Sequence, residues 1–172
     1  MSAGRWARGS VVPVLLLASA GCVADGPPRT APPRPPTAQP AGLTPDTLVL
    51  SVSQFPEDTD RNGYFDTAPV TVYLFDEPYQ APIAAAGAFT FTFVTHAGAP
   101  VATWTFDAQK TAEARRQFMP GPGYVFRLSL LEQGTDQLPP TQVLLRASFR
   151  PAGDGPVAQT RAATTVHLGR AR

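Results

Sequence analysis

The chain has 172 residues, room for one ordinary domain, and its 20 prolines and 14 glycines interrupt it too often for long helices. Lys and Arg together number 14 against 13 Asp and Glu. That near-neutral balance excludes the basic footprint a nucleic-acid binder needs to neutralise phosphates. A single cysteine excludes an internal disulfide, and no residue spacing suggests a zinc site.

In chain order, Arg5 and Arg8 make a short basic start, and Val11 to Ala20 is an apolar run interrupted only by Pro13 and Ser19. About ten such residues are the length of a signal-peptide core, whereas a spanning helix needs about twenty. Small residues Ser19, Ala20 and Gly21 then lead into Cys22. The stretch Leu17-Ala18-Ser19-Ala20-Gly21-Cys22 resembles the lipobox of bacterial lipoproteins, with Ser19 where that family most often has Leu. The resemblance implies a signal peptide over 1–21, cleaved before Cys22. It also implies a diacylglycerol on the Cys22 thiol and an acyl chain such as palmitate on the new amine. Export and anchoring to the cell envelope follow from it, at the outer membrane of a two-membrane cell, because Val23 departs from the Asp that retains such proteins inside. Each buried methylene contributes ~0.8 kcal/mol and one chain binds marginally, so several chains on one residue are what make attachment stable.

Residues 22–42 read as a tether. They include Pro27-Pro28, Pro32-Pro33 and Pro35-Pro36 and lack the apolar side chains needed to fold. A disordered spacer in polyproline II geometry would rise ~3.1 Å per residue and hold a domain ~60 Å from the bilayer. A docking motif for a proline-reading partner is the other reading of that composition.

Residues 43–172 alternate as strands do. Leu48, Leu50 and Val52 make the first run and Val70 to Phe75 the second. Phe89, Phe91 and Phe93, separated by Thr90 and Thr92, give the clearest period of two, and Val101 to Phe106 follows with Trp104 and Phe106 on one face. Tyr124, Phe126, Leu128 and Leu130 form the fifth run, Val143, Leu145, Ala147 and Phe149 the sixth, and Ala162 to Leu168 the last. About seven strands predict an all-β domain, a two-sheet immunoglobulin-like β-sandwich. Only 107–118 has a helical pattern, capped by Asp107, with Arg115 and Arg116 suited to its end and Pro120 stopping it. A short crossover helix is the expectation.

Between the first two strands lies Asp58-Thr59-Asp60-Arg61-Asn62-Gly63-Tyr64-Phe65-Asp66. Oxygen side chains at relative positions 1, 3, 5 and 9, with Gly63 at 6 for a sharp turn, have the spacing of an EF-hand-type calcium loop. Asp58, Asp60, Asn62 and Asp66 would then be side-chain ligands, and the Tyr64 carbonyl the ligand at position 7. The run also resembles the aspartate-rich loops of thrombospondin type 3 repeats and dockerins. It departs from an EF-hand at position 12, where Pro69 replaces the bidentate Glu, and Glu57, Asp76 or Glu77 are the candidates to complete the shell. The same residues also make plain Asx-turns without any ion, so calcium loop and polar turn both fit.

Other features admit functional and ordinary readings side by side. If residues 124–131 and 143–150 form a hairpin with Leu128 opposite Leu145, Arg127 faces Arg146, and Arg150 extends the same face. Like charges so placed destabilise unless something anionic intervenes. That suggests a patch for an anionic envelope polymer or protein, or else neutralisation by nearby carboxylates. Tyr73, Phe75, Tyr79 and Trp104 are either an aromatic platform for sugar rings or core packing. His96 and His167 have no partners at a catalytic or zinc-binding spacing. No nucleophile elbow or phosphate-cradling loop is present in the sequence. The sequence therefore reads as a non-enzymatic, membrane-anchored envelope lipoprotein presenting a binding or structural domain. A small extracytoplasmic hydrolase or a carbohydrate-binding module is the alternative.

Overall fold

The computed structural model describes residues 38–134 and 137–170. The expected signal peptide, Cys22 and the tether up to residue 37 lie outside the described residues. In order, the strands are β1 (Thr47–Val52), β2 (Tyr64–Phe65), β3 (Thr67–Asp76), β4 (Tyr79–Ile83), β5 (Gly87–Val94) and β6 (Pro100–Phe106). Helix α1 (Ala108–Ala114) follows, then β7 (Arg115–Gln117), β8 (Pro122–Ser129), β9 (Thr141–Pro151), β10 (Ala158–Thr160) and β11 (Thr164–Arg170). The described chain is all-β apart from α1 and one 3-10 turn at Leu131–Gln133.

Seven of these strands coincide with the seven runs read from the sequence, and they form two layers. β1-β3-β8 make one, extended by β4 on β3 and β7 on β8. β6-β5-β9-β11 make the other, with β2 on the free edge of β11. This three-against-four order is that of an immunoglobulin-like sandwich. Strand β10 joins the layers, antiparallel to β9 and parallel to β1, so hydrogen bonding runs through eleven strands without closing into a barrel. The four strands the sequence did not disclose, β2, β4, β7 and β10, are two to five residues long, too short to show a period.

Alternation fixes which face goes inward. In β5, Phe89, Phe91 and Phe93 are fully buried while Thr90 and Thr92 point out. In β9, Val143, Leu145, Ala147 and Phe149 are buried between outward Arg146, Ser148 and Arg150. The rings meet across the layers: Phe89 lies 5.2 Å from both Tyr124 and Phe126, and Phe91 lies 5.1 Å from Phe126. Each such ring contributes ~1.5–3 kcal/mol on burial, so the core suffices without a disulfide.

Polar clasps fasten the layers at their ends. The Tyr124 hydroxyl donates to Ala85 O at 3.0 Å and accepts from Ala85 N at 2.9 Å, and burial pushes its pKa up. Trp104 Nε1 donates to Ser129 O at 3.2 Å. Gln39, in the stretch expected as tether, donates to Ala84 O and accepts from Ala84 N, so the entering chain is held against the β4–β5 connection. Gly169 (φ +82°) sits where a Cβ would strike the carbonyl oxygens of Leu138 and Pro139.

Two expectations need correction. The helix is capped as read, with the Asp107 side chain accepting from Lys110 N at 2.9 Å, and it does carry the chain from one layer to the other. It ends at Ala114, however, because Arg115 and Arg116 become extended and pair with Tyr124 and Gly123 along β8. The hairpin of β8 with β9 does not form: Arg127 lies opposite Pro69 on β3, and Arg146 opposite Thr92 on β5, in different layers. A tight hairpin needs a connection of about 2–5 residues. Ser129 and Thr141 are separated by more than that, and β9 lies in the other layer.

Candidate metal centre

The loop Asp58 to Asp66 is closed at its base by backbone bonds. Glu57 N donates to Thr67 O at 2.8 Å, and Asp66 N and Thr67 N both donate to Glu57 O, at 3.0 and 3.1 Å. Its far side is pinned by β2, where Tyr64 pairs with Arg170 and Phe65 with Gly169. The turn demanded by this closure uses Gly63 at φ +88° and Arg61 at φ +61°, the latter a left-handed conformation that an arginine adopts only at a cost.

Within this frame the carboxylates converge. Ligand oxygens of Asp58, Asp60 and Asp66 lie within 4.8 Å of one another, close enough to hold a metal ion. Much of their bonding is to the loop itself. Asp58 accepts from Asn62 N at 3.1 Å and Gly63 N at 2.9 Å. Asp60 accepts from Asn62 N at 3.2 Å and from Asn62 Nδ2 at 2.9 Å, and Asn62 Oδ1 accepts from Tyr64 N at 2.9 Å. An ionised carboxylate has about four acceptor sites, so Asp58 and Asp60 each retain capacity for a cation.

Asp66 differs from the other two. It is fully buried and accepts from Thr59 N at 2.8 Å, Thr59 Oγ1 at 2.6 Å and the Thr67 hydroxyl. Burial works to raise its pKa, but the bonds from Thr59 and Thr67, aided by the Asp60 backbone, outweigh it and hold the carboxyl below the usual range. Three donors occupy most of its four acceptor sites, so Asp66 has less capacity for a cation than Asp58 or Asp60. Asp66 is the keystone of the turn, and Asp58 and Asp60 are its two available arms.

The residues expected to complete the shell are engaged elsewhere. Glu57 Oε2 accepts from Arg127 Nη2 at 2.6 Å, Asp76 accepts from Thr44 N at 2.9 Å, and Glu77 lies 3.9 Å from Arg161. This also answers the expected role of Arg127: it neutralises Glu57 at the foot of the loop, while Arg146 and Arg150 share the outer face of β9.

The aromatic platform does not form around Trp104, which is only 5 % exposed and packs edge-on against Phe93, and Tyr73 packs against Phe118. A different aromatic group, unread in the sequence, adjoins the loop. Phe55 is 59 % exposed and stacks on His167 at 5.0 Å, with Phe65 at 6.2 Å. Together with Thr141, Gln142 and Arg170 they line a cleft of about 210 Å³ whose walls include neither serine nor carboxylate. Its signal was a lone phenylalanine among polar residues, with nothing local to connect it to position 167. His96 is exposed in the turn between β5 and β6. Compared with known proteins, the chain matches no family model, no curated protein and no solved structure.

Proposed function

We propose that the chain is an exported, lipid-anchored envelope protein that displays a non-enzymatic β-sandwich for binding or structural work, with calcium bracing the Asp58 to Asp66 loop. The observation that carries the calcium reading is the convergence of three carboxylates within 4.8 Å in a loop tied down at both ends. Calcium takes six to eight hard oxygens in flexible geometry, so two aspartate arms, a share of Asp66, main-chain carbonyls and water make a low-affinity site. An ion there offsets clustered negative charge and stiffens the turn. The anchor rests on the position of Cys22 at the end of the apolar run.

The test of calcium is calorimetric titration with thermal melts. A binder at 100-fold excess over its dissociation constant adds ~2.7 kcal/mol, so a saturable heat should come with a raised midpoint, and both should vanish in Asp60→Ala. No heat and no shift at millimolar calcium would leave a polar turn. The anchor is tested by palmitate labelling in a bacterial host, where label should enter the wild type and be absent from Cys22→Ala.

A further inference from the structure

The outer face of the four-stranded layer carries residues that the calcium loop does not involve. Side chains alternating with the buried phenylalanines and leucines point outward there, and register sets them in rows. Thr105 of β6, Thr90 of β5, Ser148 of β9, Gln159 of β10 and Thr47 of β1 are successive cross-strand partners. With strands ~4.8 Å apart, this row of hydroxyl and amide groups extends ~19 Å. In the next row Thr92 pairs with Arg146, and the Thr103 hydroxyl donates to that of Thr92 at 3.4 Å. Beyond β10, Arg161 donates to Thr47 Oγ1 at 3.2 Å.

These rows floor a cleft of about 400 Å³ lined chiefly by Thr90, Thr92, Arg146, Ser148, Gln159 and Arg161, with no acidic residue in its wall. The Arg146 guanidinium has no hydrogen-bond or ion-pair partner among the described residues, and Arg161 has the Thr47 hydroxyl at 3.2 Å and the exposed Glu77 at 3.9 Å. Solvated sheet faces usually intersperse both signs of charge. Here two guanidiniums line one cleft whose other lining groups are uncharged, which makes it a place for an anion.

We propose that this cleft binds an acidic glycan, with sugar hydroxyls laid along the Thr90–Ser148–Gln159 row and a carboxylate or phosphate gripped by Arg146 and Arg161. Guanidinium forks match both anions, and hydroxyl and amide groups that donate and accept suit a polyol. The cleft volume lies within the ~300–1,000 Å³ of small-ligand sites, and a polar row longer than the cleft suits a chain over a single ring. The cleft offers no aromatic ring for nucleobase stacking. This ligand class rests on the proposal that the domain is a display module. Glycan binding is measured on purified protein, so failure of the anchor or of calcium binding would leave it standing, and its own failure would leave both of those intact.

The test is calorimetry on the full chain in non-ionic detergent. The probes are tetragalacturonate, a phosphorylated mannan oligomer, neutral maltotetraose and oligothymidylate. Saturable binding of either acidic glycan is expected, and which one binds identifies carboxylate or phosphate as the anion. Arg146→Gln and Arg161→Gln should each weaken it about tenfold, as the loss of a charge-assisted hydrogen bond does. The double variant should abolish it at an unchanged melting temperature, and Arg127→Ala, on the other layer, should leave it unaltered. The proposal is overturned if neither acidic glycan binds or if maltotetraose or oligothymidylate binds as tightly. Binding that survives in the double variant would overturn it equally.

Discussion

The interlayer core and the Asp58 to Asp66 loop are stabilised by opposite kinds of chemistry. In the core, Phe89, Phe91, Phe126 and Tyr124 contribute by area removed from water, a term that has no direction and does not change with pH. In the loop, almost nothing apolar is gained. Three carboxylates are held together by N–H and O–H donors aimed at them, and the arrangement depends on charge state, on backbone conformation and, in our reading, on a cation. One region should therefore respond to volume and the other to protons and ions.

The largest effect should come from Phe89→Ala. It empties a site where four rings meet within 5.8 Å of Phe89, and loss of a buried phenylalanine costs ~3–5 kcal/mol. Denaturant melts should show that loss unchanged by calcium, and a calcium-dependent loss would break the separation of the two regions. Next comes Asp66→Asn, which replaces an acceptor of three bonds by a group that also donates. Leaving buried donors unsatisfied costs ~1–3 kcal/mol.

The same variant gives the pH test. The folded carboxyl titrates below its unfolded value, so its stabilisation is complete above the ordinary carboxylate range near pH 4 and is lost as pH falls through the lowered folded pKa. The wild type should lose stability in that acid window, and Asp66→Asn should lack that part of the slope. A smaller effect is local. Calcium should slow amide hydrogen exchange at Asn62 and Gly63, whose N–H groups bond to the Asp58 and Asp60 carboxylates, and leave Phe91 untouched. Equal slowing at all three would mean that loop and core open as one unit. The smallest is Arg127→Ala. Its bond to Glu57 is short, but the side chains are 57 % and 48 % exposed, so removal should cost at most about 1 kcal/mol and less in high salt.

The loop also shows why a correct spacing is an incomplete description of a site. Asp58, Asp60 and Asp66 converge as their positions implied. The sequence could not tell that Thr59 and Thr67 occupy most of the acceptor sites of Asp66, nor that Glu57, adjacent to the loop, is drawn to an arginine 70 residues away. Local spacing brings oxygens together, and long-range partners decide which of them remain available.

By itself the sequence determined what depends on neighbours along the chain: the seven long strands, the inward face of those with a clear alternation such as 89–93 and 143–149, the Asp107 cap and the turn at Gly63. A period of two and a capping side chain act over a few residues, so they are legible before any partner is known. Tertiary structure alone decided the separation of Arg127 from Arg146, the stacking of Phe55 on His167 and the bridging of the layers by β10. It also decided the end of α1 at Ala114, where Arg115 met an unpaired strand edge. Those outcomes turn on which distant strand supplies a partner for a backbone or a charge, and strand pairing is a competition settled across the whole sandwich.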